Sequence, residues 1–313
     1  MTANYLFYLV WSLLINNRLI ISLTELSLNG IMIINDQLIK YNHLEVYMYI
    51  TKDLKRGYNS YLSLDENNGE GSYMDVGLLI LEEGDTYTFT DPDKEISWIL
   101  LSGGLEVTWD DQPTVTIDRP DPFNYSSYCM LQARGHKSEI KATKYSEVYV
   151  QATENDRDYE SHLYMPNEID SVWLGNKGEL DGTMMREVRT VYDYESRPDS
   201  NMVLGEDINL GGRWSSYPPH HHPQPEVYFY YFEKKQGFGA GWSDGVPHEI
   251  GHHGLLLIRD DYTHQQVMAP GYNCCYMWGI RHLPGNPWEK TRIDEEIHSW
   301  LLEDNPDYWK PKF

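Results

Sequence analysis

From Pro219 to Phe232 the chain reads PHHHPQPEVYFYYF. His220, His222 and Glu226 give the spacing H-x-H-x3-E. On an extended strand, residues two apart point to the same side. All three positions are even, so one face presents two imidazoles and a carboxylate, while His221 points the other way. Pro223 and Pro225 interrupt the strand, so a bend must return Glu226 to the same centre. Two imidazoles and a carboxylate form a hard-to-borderline donor set that suits Zn, Mn, Fe or Ni. A fourth ligand has to come from elsewhere in the chain. His264 ends GLLLIRDDYTH, an apolar strand followed by a D-D turn, which is where a neighbouring strand would return to the same barrel mouth. His248, His252 and His253, in the Gly-rich VPHEIGHHG, read as surface or rim histidines. His136 follows a glycine in a turn and reads as structural.

The elements that must hold these residues are strands. Among 313 residues there are 25 Tyr and 10 Trp, and aromatic residues favour strands. From Tyr73 onward, short apolar runs alternate with Gly, Asp and Pro turns, as in MDVGLLILEEGDTYTF and KEISWILLSGGLEVTWDDQPTVTI. That rhythm predicts an all-β sandwich or barrel. The polar stretch from Asn155 to Gly182 reads as a connection between two β domains, and REVRTVYDY restarts the alternation. Helical spacing is confined to residues 292–304, with Ile293, Ile297, Trp300 and Leu301 on one face. The predicted division is an N-terminal extension over 1–47, a first β domain with its connection over 48–182, and a second over 183–313. The apolar run Tyr5–Ile15 has the length of a signal core but lacks a preceding Lys or Arg. It is also too short to span a bilayer. The reading preferred for the extension is an added tail, with Met48 as a reasonable start.

Composition narrows the partners. Lys and Arg total 25 against 48 Asp and Glu, a net charge of −23. Nucleic acid and acidic membranes are excluded as partners on that balance, whereas an anionic small molecule would need locally placed cations. The three cysteines, Cys129, Cys274 and Cys275, give no disulfide framework and fit a reducing cytoplasm.

The paired motifs H-x-H-x3-E and G-x5-D-x3-H resemble the two histidine motifs of cupins. Within cupins, GGRWSSYPPHHH, EVYFYYF, QGFG, the APGYN-CCY segment and the N-P-D-x-W tail resemble the 5-deoxy-glucuronate isomerase family of inositol catabolism. That family is grouped with 4-deoxy-5-threo-hexosulose-uronate ketol-isomerase. The resemblance runs from about Tyr73 to Trp309 and is most specific over residues 211–239. It implies two cupin barrels (double-stranded β-helix, jelly-roll) in tandem with a short C-terminal helix. A divalent metal, Zn or Mn before Fe or Ni, would sit in the second barrel on His220, His222, Glu226 and His264. The first barrel, without H-x-H, would hold none. The implied reaction converts 5-deoxy-D-glucuronate to 5-dehydro-2-deoxy-D-gluconate, an aldose–ketose isomerisation of a small sugar acid, by a possible homo-oligomer. Arg186 stands where the family has an arginine and is the implied partner of the substrate carboxylate. Gln236 and Tyr276 are candidates for substrate hydrogen bonds or a proton relay, and Trp214 and Tyr217 for shaping the pocket. The proton-moving base is left open among Glu226, Tyr276 and a metal-bound water. Two departures leave room for an altered substrate. Asp260 and Tyr262 replace Pro and Gly before His264, and Cys274, Cys275 and Tyr276 replace L-Y-Y. A metal-dependent oxygenase and a non-catalytic sugar-acid binder are the rival readings.

Overall fold

The computed structural model describes residues 48–304 and 306–312, together with the backbone of four short strands nearer the start. Those four form two antiparallel pairs, Leu13–Ile15 with Arg18–Ile20 and Ile31–Ile34 with Gln37–Lys40. The rest of the N-terminal extension, including most of the Tyr5–Ile15 run, lies outside the described residues. The chain divides into two compact units, Met1–Val46 and Tyr47–Phe313, and the second carries everything discussed below.

That second unit is all-β and cupin-like, as expected. In its first half six strands lie in the order His162–Tyr164, Cys129–Gln132, Lys94–Trp109, Ser146–Glu154, Asp75–Leu81 and Gly57–Leu62. In its second half a seven-stranded sheet runs in the order Asp170–Leu174, Arg186–Tyr192, Met202–Asn209, Cys274–Arg281, Glu226–Phe232, Leu255–Ile258 and Tyr49–Ile50. Facing it, a five-stranded sheet runs Val246–Gly251, Phe238–Ser243, His264–Met268, Trp214–His221 and Ile293–Asp294. The sheets cross the division expected at residue 182. Asp170–Leu174 pairs with Arg186–Tyr192 across it, and Tyr49–Ile50 caps the edge of the second-half sheet.

The central strands have no solvent face. On Met202–Asn209, Glu226–Phe232 and Cys274–Arg281, the residues Leu204, Ile208, Val227, Phe229 and Met277 pack against Leu78, Ile99, Leu101 and Tyr149 of the first half. The alternate residues, Val203, Tyr228, Tyr230, Tyr276 and Ile280, line the interior of the second half with Leu256. The first half repeats the scheme, with Leu79, Trp98, Leu100 and Val148 turned into its own interior. Side chains alternate faces along a strand. A strand buried on both faces must therefore read as a nearly continuous apolar run, which EVYFYYF and CCYMWGI do. Cys274 and Cys275 illustrate the split: one lies in the barrel interior, the other between the halves, and both are free thiols. The halves approach so closely that a Cβ on Gly279 would fall 2.1 Å from Gln151 Oε1. Gln151 in turn donates to the Val203 carbonyl.

One charged group is placed inside this apolar contact. Glu206 Oε1 accepts from Arg119 Nη2 at 2.6 Å and from Arg189 Nη1 at 2.8 Å, with Arg119 and Glu206 fully buried. Burial raises the carboxyl pKa, but the two guanidiniums outweigh it and hold the group below its usual range. Arg119 ends a first-half strand, Val115–Arg119, so this cluster ties the halves together electrostatically.

The C-terminal helix differs from expectation. In place of a helix over 292–304, Ile293–Asp294 forms a strand against His220 and His221, and Glu296–Leu302 forms a 3-10 helix. The spacing of Ile293, Ile297 and Trp300 suits an amphipathic α-helix, but Ile297 is 77% exposed and finds no core to cover. Pairing with the histidine strand takes the first residues instead.

Removing the anion from the buried cluster should be costly. We expect Glu206→Ala to lower the unfolding free energy by about 3–5 kcal/mol, because it strands the Arg119 guanidinium in the interior and leaves Arg189 with Glu187 alone. Urea denaturation measures this, and a loss below about 1 kcal/mol would contradict the assignment.

Candidate functional site

The strand Trp214–His221 belongs to the five-stranded sheet, and Glu226 begins a strand of the seven-stranded sheet. Pro223-Gln224-Pro225 is the corner that carries the chain from one sheet to the other. It supplies the bend the sequence required between the histidines and Glu226. Pro218 and Pro219 interrupt the ladder, whose register shifts between Ser215 and His220, as expected where residues cannot donate. His220 then pairs directly with His264.

The side chains converge. His222 Nε2 lies 3.2 Å from Glu226 Oε2, and His264 Nε2 lies 3.4 Å from the same oxygen. One donor atom from each of these three buried residues falls within 4.8 Å of the others. His220 stands beside them, its ring 4.3 Å from that of His264. It is less committed, because Arg292 Nη1 lies 3.4 Å from its Nε2. His221 turns away to Glu295.

The protonation of these rings follows from their partners. Nδ1 of His220 meets the Pro218 carbonyl at 3.2 Å, that of His222 meets Gln224 O at 2.8 Å, and that of His264 meets Tyr262 O at 2.9 Å. A carbonyl oxygen only accepts, so each Nδ1 carries a proton and donates. In the neutral ring this leaves the Nε2 lone pair bare. Burial, reinforced by the neighbouring ring of His264, pushes the His220 pKa far down. Burial likewise lowers that of His264, to about 4, against the pull of Glu226. His264 Nε2 is buried without a hydrogen-bond partner. Bare nitrogens thus face a carboxylate oxygen, a donor set complementary to a positive centre. Their spacing matches the edge of a tetrahedron with bonds of about 2.0–2.2 Å, the usual Zn–N and Zn–O lengths. The residues present fit a divalent metal.

A second cluster fails the same test. Glu147, His252 and His253 also lie close enough to hold an ion. There, however, His252 Nδ1 accepts the Phe232 backbone N–H at 3.0 Å. The proton of the neutral ring is therefore on Nε2, which has no lone pair to offer. His253 Nε2 lies 3.1 Å from Glu147, a contact between the two halves. These histidines, read as rim residues from the sequence, belong to that contact.

The converging donors open into a cavity of about 350 Å³. Arg186, Asp193, Asp207, Tyr276, Trp278, Trp288, Lys290 and Arg292 help to line it. Of the residues expected from the sequence, Arg186 lines the cavity, with Nε 3.7 Å from Asp207 Oδ2. Tyr276 is also in the wall, its hydroxyl donating to Asp207 at 2.6 Å. Two expected residues are not. Gln236 is exposed on the turn after Phe232, at the opposite end of the strand from Glu226. Tyr217 packs on Trp214, ring centroids 5.1 Å apart, outside the cavity lining. Sequence reasoning missed Asp207, Trp288, Lys290 and Arg292. For Arg292 the signal would have been its place two residues before Asp294, which pairs with His220. Its Nη2 donates to Pro218 O at 2.7 Å, so the same carbonyl positions both His220 and Arg292.

Comparison with known proteins agrees with this architecture. A 5-deoxy-glucuronate isomerase of Bacillus subtilis (strain 168) is 24% identical over 269 residues, spanning 76% of this chain and 90% of the relative. One from Bacillus licheniformis is 23% identical, spanning 80% and 96%. The crystal structure of an IolB-like protein from Salmonella typhimurium superposes with a TM-score of 0.73 at 19% identity, covering 82% of this chain and 99% of that one. An oxalate decarboxylase from Lactobacillus farciminis shares the fold more distantly, at a TM-score of 0.53 and 12% identity, covering 80% and 86%. Among the described residues no helix is long and apolar enough to cross a membrane. The KduI/IolB family model matches residues 48–301, so the chain belongs to the KduI/IolB family and is an isomerase.

Proposed function

We propose that the protein is a metal-dependent aldose–ketose isomerase that converts 5-deoxy-D-glucuronate to 5-dehydro-2-deoxy-D-gluconate in inositol catabolism. The observation that carries this reading is the convergence of Nδ1-locked imidazoles on Glu226 inside a cavity that also holds arginines. His222, Glu226 and His264 would hold the metal, with His220 as the fourth ligand once its Nε2 is released from Arg292. Zn or Mn suits the donor set ahead of Fe or Ni. When bound, such an ion polarises a carbonyl and stabilises developing negative charge on oxygen. The first half, without an H-x-H motif, is a cupin barrel with no metal, which makes the unit a bicupin.

The rest of the chemistry falls to the chain. A sugar acid is an anion, and the chain is strongly acidic overall, so recognition needs local cations. Arg186, Arg292 and Lys290 all reach the cavity wall. Lys290 is engaged by Asp193 and Glu195 and Arg292 by Asp294, whereas Arg186 makes no hydrogen bond to a carboxylate. Arg186 is the proposed carboxylate partner. Arg292, beside His220, would face the reacting end. Trp278 and Trp288, with Ile280 and Val188, supply apolar wall against which water is excluded. Neither rival reading has an observation of its own to favour it. Oxygen-dependent turnover would identify an oxygenase, and ligand binding without ketone a mere binder.

Two outcomes are expected. Purified protein should carry close to one divalent metal per chain by elemental analysis. His264→Ala and His222→Ala should each lose it, and adding Zn or Mn to stripped wild type at about a hundredfold over Kd should stabilise it by about 2.7 kcal/mol. No bound metal and no thermal shift with either ion would refute the metal assignment. In an NMR assay with 5-deoxy-D-glucuronate, the aldehyde signal should give way to ketone. Arg186→Met should lower kcat/KM about 10- to 100-fold, the loss of one charge-assisted hydrogen-bonded contact. An unchanged aldehyde signal with metal-loaded wild type would rule out this substrate.

A further inference from the structure

Isomerisation needs a group that takes a proton from one carbon and returns it to the next, and the cavity wall offers three carboxylates among the described residues: Asp193, Asp207 and Glu226. Two are already engaged. Asp193 accepts from the Ser196 backbone and hydroxyl on one oxygen and faces Lys290 with the other at 3.3 Å. Glu226 Oε2 faces two imidazoles. Asp207 is different. Its Oδ2 accepts the Tyr276 hydroxyl, while its Oδ1 is buried with no hydrogen-bond partner. Arg186 stands near Oδ2 without bonding to it. An unpaired buried carboxylate oxygen is costly enough to require an explanation.

The strand accounts for the placement. Asp207 lies opposite Tyr276 in the ladder, on the inward face, next to Glu206, which faces the other half. At Gly205, two residues earlier on the same face, the missing side chain leaves room for the Trp278 indole. Asp207 is thus fixed by its neighbours yet keeps one oxygen uncommitted.

We propose that Asp207 is the proton-transferring base of the isomerisation and Tyr276 its positioning residue. The proposal rests on the isomerase reading given above. Asp207, which lines the cavity, takes the proton from the hydroxyl-bearing carbon beside the aldehyde. The C–H electron pair becomes the C=C bond of an enediolate, and the aldehyde π pair moves to its oxygen, which takes the proton of the neighbouring hydroxyl. In return, the neighbouring oxygen forms the new carbonyl, and the C=C pair takes the proton back from Asp207 at the former aldehyde carbon. Nothing is oxidised or reduced overall, and Asp207 ends as it began. Burial pushes the Asp207 pKa up to about 6, against the charge of Arg186 and the Tyr276 hydrogen bond, with Glu226 adding to the rise. A base titrating close to neutral pH can both accept and return a proton. Tyr276 is held protonated by burial and by Asp207 itself, which makes it a donor to the carboxylate and a poor base.

The test uses metal-loaded full-length protein with 5-deoxy-D-glucuronate in deuterated water, followed by NMR. Wild type should form ketone with deuterium incorporated at the former aldehyde carbon. Asp207→Asn should keep its metal content and its KM within about threefold, lose about 10²- to 10⁴-fold in kcat, and exchange no deuterium into recovered substrate. Asp207→Asn with kcat within threefold of wild type, or with undiminished exchange, overturns the proposal. An inactive wild type overturns the isomerase reading and this proposal with it, whereas an active wild type with an active Asp207→Asn overturns this proposal alone. Should Asp207→Asn fail to fold, Tyr276→Phe decides. It keeps the carboxylate but removes a stabilising donor, so the acid limb of kcat against pH should move upward, and an unmoved limb overturns the assignment.

Discussion

Every placement in this molecule is constrained by the burial of its central strands on both faces. Met202–Asn209, Glu226–Phe232 and Cys274–Arg281 separate two apolar interiors, one shared with the first half and one their own. Such strands have no solvent side on which to discard a polar residue. Each charge must therefore be neutralised locally or left for a ligand. Glu206 and Asp207, consecutive in sequence, show the two solutions. Glu206 faces the other half and is clamped by two arginines. Asp207 faces the cavity with one oxygen unpaired.

The same constraint explains which parts of the site could be read from the sequence. Parity along a strand identifies a face, so the turning of His220 and His222 to one side, and of His221 away from it, was legible from their spacing, whereas Glu226 reaches them across a corner that parity does not cover. His264 was legible because an apolar run and a turn return the chain to its neighbour. Parity does not say which end of a strand a residue occupies. Gln236 was misplaced on that account, since a seven-residue strand separates its turn from Glu226. Asp207 was hidden in NMVLGEDIN, where two acidic residues resemble the polar punctuation of a turn. Only the observation that the run continues as a strand buried at every position marks them as special. Arg292 was hidden because helical spacing over 292–304 concealed a strand that pairs with His220.

The all-β class was legible for a simpler reason: short runs and closely spaced turns leave no room for long helices. The separation into halves was less so. Strands at the edges of the second-half sheet come from Tyr49–Ile50 and Asp170–Leu174. Sheet edges recruit whatever backbone passes them, because unpaired N–H and C=O groups must be satisfied. Composition carries little trace of that demand.

Proximity alone does not make a metal site, and the two histidine clusters of this chain separate the requirements. Both bring a carboxylate and two imidazoles within reach of a single ion. They differ in what lies behind the rings. At His222 and His264 a backbone carbonyl accepts the Nδ1–H and leaves Nε2 free to bind. At His252 a backbone N–H occupies Nδ1 and obliges Nε2 to keep its proton. The deciding atoms belong to Gln224, Tyr262 and Phe232, whose side-chain identities are irrelevant to the outcome, because only the local path of the main chain sets whether a carbonyl or an amide meets the ring. A P-Q-P corner and a D-Y-T turn therefore contribute to ligand chemistry as directly as the histidines do.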